Sequence, residues 1–211
     1  MELKMELIEI PEGGNVIFGQ SHFIKTVEDL YEIMVSAVPG AKFGIGFCEA
    51  SGHCLVRGEG NDEALKDLAL KTAYRIGAGH TFIIFIKDAF PINMLNAVKM
   101  CQEVCNLFCA TANPVQVVLA QSEQGRGVLG VIDGSSPKGM EKEDGVAWRK
   151  DLLRKFKYKL SAAGAIARSR SWRVKNRQPS RCPWKGFALW NTERFMPGPA
   201  PALFWGISVR R

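Results

Sequence analysis

The chain has 211 residues, of which 46% are hydrophobic, and it carries a formal net charge of +7. This length allows one sizeable domain with an appendage, and the composition is that of an ordinary globular protein in solution. The sequence contains no apolar run of about 18 residues, and its first residues lack the basic-then-apolar order of a signal peptide. A membrane-spanning or secreted protein is therefore not expected, and the sequence predicts a cytoplasmic one.

The excess of positive charge is confined to the C-terminal part of the chain. Residues 1–160 hold 18 Lys and Arg against 20 Asp and Glu, whereas residues 161–211 hold 10 against one. The second segment also contains four of the five tryptophans and five of the ten prolines, without helical or strand periodicity. We expect residues 1–160 to form the domain and residues 161–211 to be a basic tail, disordered or non-native, outside the fold. Nucleic-acid binding through arginine and tryptophan would involve this tail only.

The N-terminal segment predicts two strands and a helix. Residues 3–7 alternate apolar with charged side chains, and a short apolar run follows at residues 16–18 after a Pro-Glu-Gly-Gly turn. Thr26 is expected to cap a helix whose apolar stripe extends to Val38, and Pro39-Gly40 is expected to end that helix.

The next segment has the pattern of the centre of a sheet. Residues 43–47 predict a strand in which glycines at two alternate positions leave one face almost without side chains, so another element must pack very closely there. Asn61 is expected to cap a helix that ends at Gly77. Residues 80–87 form a continuous apolar run, which is typical of a central strand covered on both faces.

The remaining part of the domain alternates strands and helices again. Pro91 at a first helical position predicts a short helix that extends to Met100. Further strands are expected at residues 104–109, 115–119 and 128–132, and a last helix at residues 146–156. Together these elements predict a single-domain layered α/β sandwich in which a mixed β-sheet is flanked by helices.

The strongest candidate for a functional site is the stretch Gly19–Thr26, in which Ser21, His22 and Lys25 precede the first predicted helix. Backbone N–H groups at a helix N-terminus lack internal partners, and the helix dipole adds about half a positive charge there. An anion such as phosphate would therefore be held beside His22, and an imidazole can act as a nucleophile or proton carrier near neutral pH. His80, which follows a Gly-Ala-Gly sequence, is the alternative catalytic histidine.

A second candidate for phosphate binding is the turn formed by Gly125, Arg126 and Gly127. Two glycines leave backbone N–H groups accessible, and the guanidinium between them could clamp phosphate oxygens. The alternative is a tight hairpin with an exposed arginine. The chain contains no P-loop motif and neither protein-kinase loop motif, so a nucleotide site would have to be of another type.

Four further residues are candidates for ligand binding. Phe90 offers an aromatic face and Asn93 an amide that could recognise adenine, although a core position for Phe90 before a helix-starting proline is equally compatible with the sequence. Asp133 and Glu49 are candidate ligands for a Mg²⁺ ion bound through phosphate, and Glu49 could instead pair with Arg57.

Six segments of the domain resemble the adenosine-specific kinase family of archaea and bacteria, and the resemblance covers about residues 3–160. These segments are Gly19–Glu32, Phe47–Gly52, Gly77–His80, Asp88–Asn93, Ala110–Pro114 and Gly125–Gly134. Members of the family normally end near the position of residue 160, which supports placing the tail outside the fold.

The resemblance implies a compact α/β domain that forms homo-oligomers, with a trimer favoured. It also implies binding of adenosine or an adenine nucleotide (ATP, ADP or AMP) in association with a phosphorylated histidine. The resemblance does not identify that histidine, and the expected anion site assigns the phosphate to His22.

A mechanism consistent with both the residue patterns and the family resemblance is phosphoryl transfer from a nucleotide to His22 and then to adenosine or water. Ser21, Lys25 and Arg126 would stabilise the transferring oxygens with assistance from Mg²⁺. The alternative is a module that binds AMP or adenosine without turnover, as a sensor or a structural element.

Overall fold

The structure is a computed structural model that describes residues 1–160. The strands in this range are β1 (Glu2–Ile8), β2 (Asn15–Ser21), β3 (Lys42–Cys48), β4 (Val56–Gly60), β5 (Thr81–Lys87), β6 (Val104–Thr111), β7 (Val115–Gln121) and β8 (Arg126–Asp133). The helices are α1 (Thr26–Ala37), α2 (Glu63–Ile76), α3 (Pro91–Lys99) and α4 (Glu143–Lys155). The expectations for the tail, residues 161–211, lie outside the described residues. No helix within residues 1–160 is both long and apolar enough to cross a membrane.

Residues 1–139 form one compact unit whose strands make two sheets, both antiparallel. The larger sheet has the strand order β4-β3-β5-β2-β6, and the smaller has the order β1-β7-β8. The layered α/β class is confirmed, but the strands do not form the single mixed sheet that the sequence suggested. The reason is that β3–β4, β6–β7 and β7–β8 are joined by connections shorter than the dozen or so residues that a parallel crossover needs. The strands β2 and β3, which α1 connects, are separated by β5 and pair with it antiparallel.

Strand β5 is the centre of the larger sheet, and its side chains alternate between two hydrophobic cores. Phe82, Ile84 and Ile86 pack with α1 and α3 on one face. Ile83 and Phe85 pack with α2 and the smaller sheet on the other. The predicted central strand is therefore confirmed, and the unit has three layers: α1 with α3, the five-stranded sheet, and α2 with the smaller sheet.

Gly44 and Gly46 of β3 allow α2 to lie directly on the larger sheet. A Cβ atom at Gly44 would collide with the backbone of Leu65 and Lys66, and one at Gly46 would lie 2.5 Å from the carbonyl oxygen of Ala69. The close approach that the glycine pattern predicts is confirmed, and the element that makes it is α2. Because the contact is between backbones, no side chain on that face of β3 could be accommodated without moving the helix.

The start of α2 differs by one residue from the sequence-based expectation. The side chain of Asp62, not that of Asn61, caps the helix by accepting a hydrogen bond from the N–H group of Leu65 at 3.0 Å. Asn61 instead accepts from the N–H of Phe43 and donates to the carbonyl of Ala41, both at 2.8 Å. Asn61 therefore ties the chain before α2 to the start of β3, a contact between distant segments that a local capping pattern does not reveal.

The smaller sheet has one buried and one exposed face. The buried side chains of its middle strand are Val115, Val117 and Leu119. The opposite face carries Leu3, Met5 and Leu7 of β1, all of which are exposed, Met5 at 66%. The alternation in residues 3–7 correctly predicts a strand, but its apolar side chains face outward.

Residues 140–160 belong to a second unit, which contains α4. The guanidinium of Arg149 donates from Nε and Nη2 to the two carboxylate oxygens of Glu141, each at 2.9 Å. This bidentate pair lowers the pKa of Glu141 and raises that of Arg149. The predicted last helix is confirmed, although it begins at Glu143 and so a few residues earlier than expected.

We expect Gly46→Ala to destabilise the protein by about 3 kcal/mol, because the added methyl group would overlap the α2 backbone and force the helix off the sheet. Urea unfolding would measure the change in the free energy of unfolding. Gly130→Ala is the matched control, since Gly130 also lies in a strand but has open space around its Cβ position. Equal stability of the two variants would contradict the role of this contact.

Candidate functional site

At the N-terminal end of α1, the N–H groups without an acceptor among residues 1–160 are those of Phe23, Ile24 and Lys25, in the turn before the helix. The N–H groups of residues 26, 27 and 28 each donate to the carbonyl group three residues earlier. The turn before the helix therefore supplies the acceptors that an anion would have provided. The hydroxyl of Thr26 donates to the carbonyl of Phe23, so Thr26 is not a cap. The unbonded N–H groups beside His22 are therefore those of residues 23–25, one turn before the helix.

Lys25 lies in an acidic cluster. Its ammonium group pairs with Asp29 and, at 2.7 Å, with Oε1 of Glu103, a residue only 4% exposed. The thiol of Cys101 donates to Oε2 of Glu103 at 3.3 Å. Asp29, Cys101 and Glu103 each have a ligand atom within 4.8 Å of the others, but the Lys25 ammonium supplies the positive charge between the carboxylates. With two carboxylates and one ammonium, the cluster does not attract phosphate.

The ion pair shifts the pKa values of both partners. The hydrogen bond with Lys25, and next that with Asp29, lowers the pKa of Glu103 from 4.5 to about 2. Hydrogen bonds to Asp29 and then Glu103 raise the pKa of Lys25 above its usual range. Lys25 is therefore a charged partner of protein carboxylates at any pH near neutral.

We expect Glu103 to stabilise the fold at neutral pH and to lose this effect as the pH falls from about 4.5 to about 2. In this window the unfolded chain binds the proton that the folded protein still excludes, so acidification favours unfolding. Urea unfolding of the wild type and of Glu103→Gln should give a stability difference that shrinks across the window. Glu28→Gln, on the exposed side of α1, controls for removal of a carboxylate. A difference for Glu103→Gln that is independent of pH would contradict the assignment.

Ser21, His22 and His80 lie together at one end of the larger sheet. Strands β2 and β5 pair antiparallel up to Gln20 and Thr81, which brings the residues beyond them side by side. The carbonyl of His80 accepts from the N–H of Ser21 at 2.9 Å and from its hydroxyl at 3.4 Å. Ser21 is buried and its hydroxyl is engaged, whereas His22 is exposed. Both candidate histidines are therefore neighbours, but Ser21 is not available to a ligand.

The loop from Gly77 to His80, here called the His80 loop, holds His80 in an uncommon backbone conformation. The φ angle of His80 is 59°, in the left-handed region that few non-glycine residues adopt. Its N–H donates to the carbonyl of Cys48 at 2.8 Å, and its ring stacks on Phe47 with centroids 6.0 Å apart. Such a conformation persists only where the surroundings enforce it, often at functional sites. The backbone is thus fixed while the imidazole remains half-exposed.

A cleft of about 640 Å³ opens beside the His80 loop, within the size range of small-molecule sites. It is bordered by the end of β3, the C-terminal end of α2, the His80 loop and the turn between β7 and β8. Four of the candidate residues from the sequence line the cleft: Glu49, Gly125, Arg126 and Gly127. Gly77 and Gly79 of the His80 loop line it as well. The tertiary structure therefore assembles a subset of the expected site at this cleft.

Arg126 connects the β7–β8 turn to the end of α2. Its Nη1 donates to the carbonyls of Arg75 and Ile76, at 2.6 and 3.2 Å, and its Nε donates to Oε1 of Gln121 at 3.1 Å. Its backbone also forms a parallel bridge with Ala78 in the His80 loop. Arg126 is therefore more than the exposed arginine of a plain hairpin. Among residues 1–160, its Nη2 has no hydrogen-bond acceptor.

Glu49 is fixed at the edge of the cleft by two hydrogen bonds to its Oε2. The N–H of Leu55 donates at 3.1 Å, and Nη2 of Arg57 donates at 3.0 Å. The bond from Leu55, with a smaller contribution from Arg57, lowers the pKa of Glu49. The pairing with Arg57 that the sequence left open is therefore present.

Phe90 and Asn93 lie at the opposite end of β5 from His80, about 20 Å away along the strand. The side-chain oxygen of Asn93 accepts a hydrogen bond from the N–H of Phe90 at 3.0 Å and so helps to cap α3. Phe90 itself is exposed, not part of the core. Within one chain these two residues do not join the histidines in a common adenine site, because the length of β5 separates them.

Asp133 and Glu49 do not fit a shared Mg²⁺ ion within one chain. Asp133 ends β8, seven residues beyond Arg126, which corresponds to about 23 Å along the strand. Its Oδ1 accepts hydrogen bonds from Thr111 at 2.9 Å and Asn113 at 3.0 Å. Asp133 is therefore not placed to bind a Mg²⁺ ion beside the Gly125–Gly127 turn of the same chain, because β8 runs away from the cleft.

Two residues near the cleft were not singled out from the sequence. Tyr74, in the last turn of α2, is 78% exposed and lines the cleft. Its sequence signal was an aromatic residue on the polar side of an amphipathic helix, which indicates an exposed contact surface. Gln121 orients Arg126, its cross-strand partner. No local pattern marks Gln121, since its role depends on the β7–β8 register.

Comparison with known proteins identifies the class to which this α/β domain and its cleft belong. The model of the family described as Adenosine specific kinase matches residues 7–159. The chain therefore belongs to the Adenosine specific kinase family.

A solved structure extends this comparison. The crystal structure of the PH1918 protein from Pyrococcus horikoshii OT3 is similar to this chain, with 44% sequence identity and a TM-score of 0.72. The match covers 76% of this chain and 100% of the other. No curated protein matches the chain.

Proposed function

We propose that this protein binds adenosine or an adenine nucleotide in the cleft beside the His80 loop and transfers a phosphoryl group through a phosphorylated histidine. Membership of the Adenosine specific kinase family supports both the ligand and the reaction class. The observation that carries the proposal is the His80 loop itself. Its glycines Gly77 and Gly79 line a cleft of suitable size together with Arg126, and the loop ends at His80, whose half-exposed ring stacks on Phe47 and is not itself part of the lining.

The geometry supports His80, more than His22, as the phosphoryl carrier. The preference for His22 depended on an anion site at the start of α1, where the ammonium of Lys25 is already paired with Asp29 and Glu103. His80 belongs to the loop that borders the cleft, and its backbone is held by Cys48 and Ser21. The bonded backbone and the stacking of the ring on Phe47 restrict the positions that the imidazole can adopt. Exposed His22 remains the neighbouring alternative.

In the proposed reaction, a ring nitrogen of His80 attacks the γ-phosphorus of ATP. The P–N bond forms while the bond from phosphorus to the bridging oxygen breaks, and ADP leaves. A hydroxyl of adenosine then attacks the phosphohistidine, so that a P–O bond replaces the P–N bond and the hydroxyl proton passes to the released imidazole. Water in place of adenosine would release phosphate. Nη2 of Arg126 is the donor available to the transferring oxygens.

The proposal gives no phosphate-binding role to Ser21 or Lys25. The hydroxyl of Ser21 is bonded to His80, and the ammonium of Lys25 is paired with Asp29 and Glu103. The proposal also assigns no protein-held Mg²⁺, because the two carboxylates suggested for it lie at different ends of the molecule. For adenine, Tyr74 provides an exposed aromatic surface at the cleft edge.

We expect the full chain, incubated with ATP labelled at the γ-phosphate, to acquire acid-labile label, and His80→Ala to abolish that label. His22→Ala is the matched control and should retain it. Filter binding at alkaline pH, where phosphohistidine is stable, would measure the bound label. Loss of label in His22→Ala with retention in His80→Ala would reverse the assignment.

Calorimetry with adenosine, AMP and ATP, followed by an assay for newly formed AMP or ADP, separates catalysis from simple binding. Label on the protein together with product supports the phosphotransferase. Tight binding of adenosine or AMP, with neither label nor product after long incubation, would instead identify a sensor or a structural module.

The proposal includes a homo-oligomer, for which a trimer is favoured. The support for self-association is the outward apolar face of β1, formed by Leu3, Met5 and Leu7. Three adjacent exposed apolar side chains on one sheet face are typical of an interaction surface.

We expect Met5→Glu to convert the oligomer to monomers, because a carboxylate at the centre of this face would be buried without a partner. Light scattering coupled to size exclusion would measure the mass. Ile92→Glu is the control, since Ile92 on α3 is 62% exposed, close to the 66% of Met5. A wild-type monomer, or an oligomer unaffected by Met5→Glu, would exclude this face as the interface.

A further inference from the structure

The C-terminal end of α2 borders the cleft. Tyr74 and Gly77, in the last turn and at the helix cap, are among the lining residues. The last carbonyl groups of a helix have no intrahelical partners, and the helix dipole places about half a negative charge there. An end of this kind would repel a phosphate group that entered the cleft.

Arg126 covers this end of the helix. Its Nη1 donates to the carbonyls of Arg75 and Ile76, and its Nε is held by Gln121, so the guanidinium is fixed on two sides. Hydrogen bonds from a guanidinium to terminal carbonyl groups offset the negative end of the dipole. With Nε and Nη1 engaged, Nη2 is the nitrogen left for a ligand.

The charge of Arg126 is not neutralised by a carboxylate. All three of its acceptors are neutral oxygens, two from the backbone and one from an amide. Glu49, the acidic side chain that lines the cleft, is paired with Arg57. Among the side chains of the described lining, Arg126 therefore carries the uncompensated positive charge, at the end of α2, and the N-terminal residue Met1 also borders the cleft.

We infer that Arg126, which both faces the ligand through Nη2 and positions the His80 loop, makes the α2 end of the cleft selective for the phosphate-bearing form of the ligand over adenosine. It does so by offsetting the helix carbonyls and by holding the His80 loop through its bridge to Ala78. This inference rests on the proposed function, since it concerns the ligand of the same cleft. It adds a preference within the ligand class and the residue that determines it.

Calorimetry on the full chain with adenosine, AMP and inorganic pyrophosphate tests the inference. Arg126→Gln should weaken AMP and pyrophosphate binding by about tenfold or more and change adenosine binding by less than about threefold. Arg126→Lys should retain part of the AMP and pyrophosphate binding, because lysine keeps the positive charge. It should not retain all of it, because an ammonium group cannot bond Gln121 and the two carbonyls at the same time. Arg75→Gln is the matched control: it removes the same charge from the last turn of α2, where Arg75 instead bonds Leu7 and pairs with Glu9.

Amide hydrogen exchange provides a readout of the positioning role. Arg126→Gln should speed exchange in the His80 loop while exchange in β5 stays unchanged, and Arg75→Gln should leave the loop as in the wild type. Unchanged exchange in the His80 loop of Arg126→Gln would overturn the positioning role.

The outcomes separate the inference from the proposed function. Equal weakening of adenosine and AMP in Arg126→Gln, or no weakening of either, overturns the inference alone. A wild type that binds pyrophosphate in an Arg126-dependent way, but neither adenosine nor AMP, contradicts the proposed function and leaves the anion selectivity supported. A wild type that binds none of the three overturns both.

Discussion

The close packing of α2 on the glycine face of β3 is the constraint on which the rest of the site depends. Gly44 and Gly46 bring the helix backbone against the strand, and this contact determines the depth and direction of α2. The end of the helix at Ile76 then sets where the chain must turn to enter β5. The His80 loop makes that turn within four residues. The position of the His80 backbone therefore follows from the packing of α2 on the two glycines of β3.

The electrostatics differ between the two places where the sequence predicted phosphate binding. One is the start of α1, and the other is the Gly125–Gly127 turn, which lies at the end of α2. At the start of α1, the N–H groups of residues 26–28 are bonded within the chain, and Lys25 neutralises carboxylates of the protein. At the end of α2, where a helix dipole by itself disfavours an anion, Arg126 supplies a charge that no carboxylate offsets. The positive charge at this helix end therefore comes from a side chain of another strand, β8, and not from a helix N-terminus.

Most elements of the fold were predictable, because their signals are local. The apolar run before Lys87 and the proline at residue 91 mark β5 and α3 without reference to any neighbour. The sheet arrangement was less predictable: strand pairing depends on connection lengths and on which faces are buried, and these divide the strands between two antiparallel sheets. Phe90 was grouped with the site from its residue type and Asp133 from its position after the strand that follows the Gly125–Gly127 turn, although strand direction carries both to the far ends of β5 and β8.

The sequence by itself determined the α/β class, the family and the approximate extent of the elements, since periodicity, glycine and proline positions and characteristic segments are properties of short stretches of chain. Only the tertiary structure decided which candidates meet. It engages Ser21 and Lys25 within the protein, brings His80 next to His22, and sets Arg126 against the end of α2. The physical reason is that hydrogen bonds and ion pairs between distant segments depend on strand register and helix depth, which are global properties of the packed molecule.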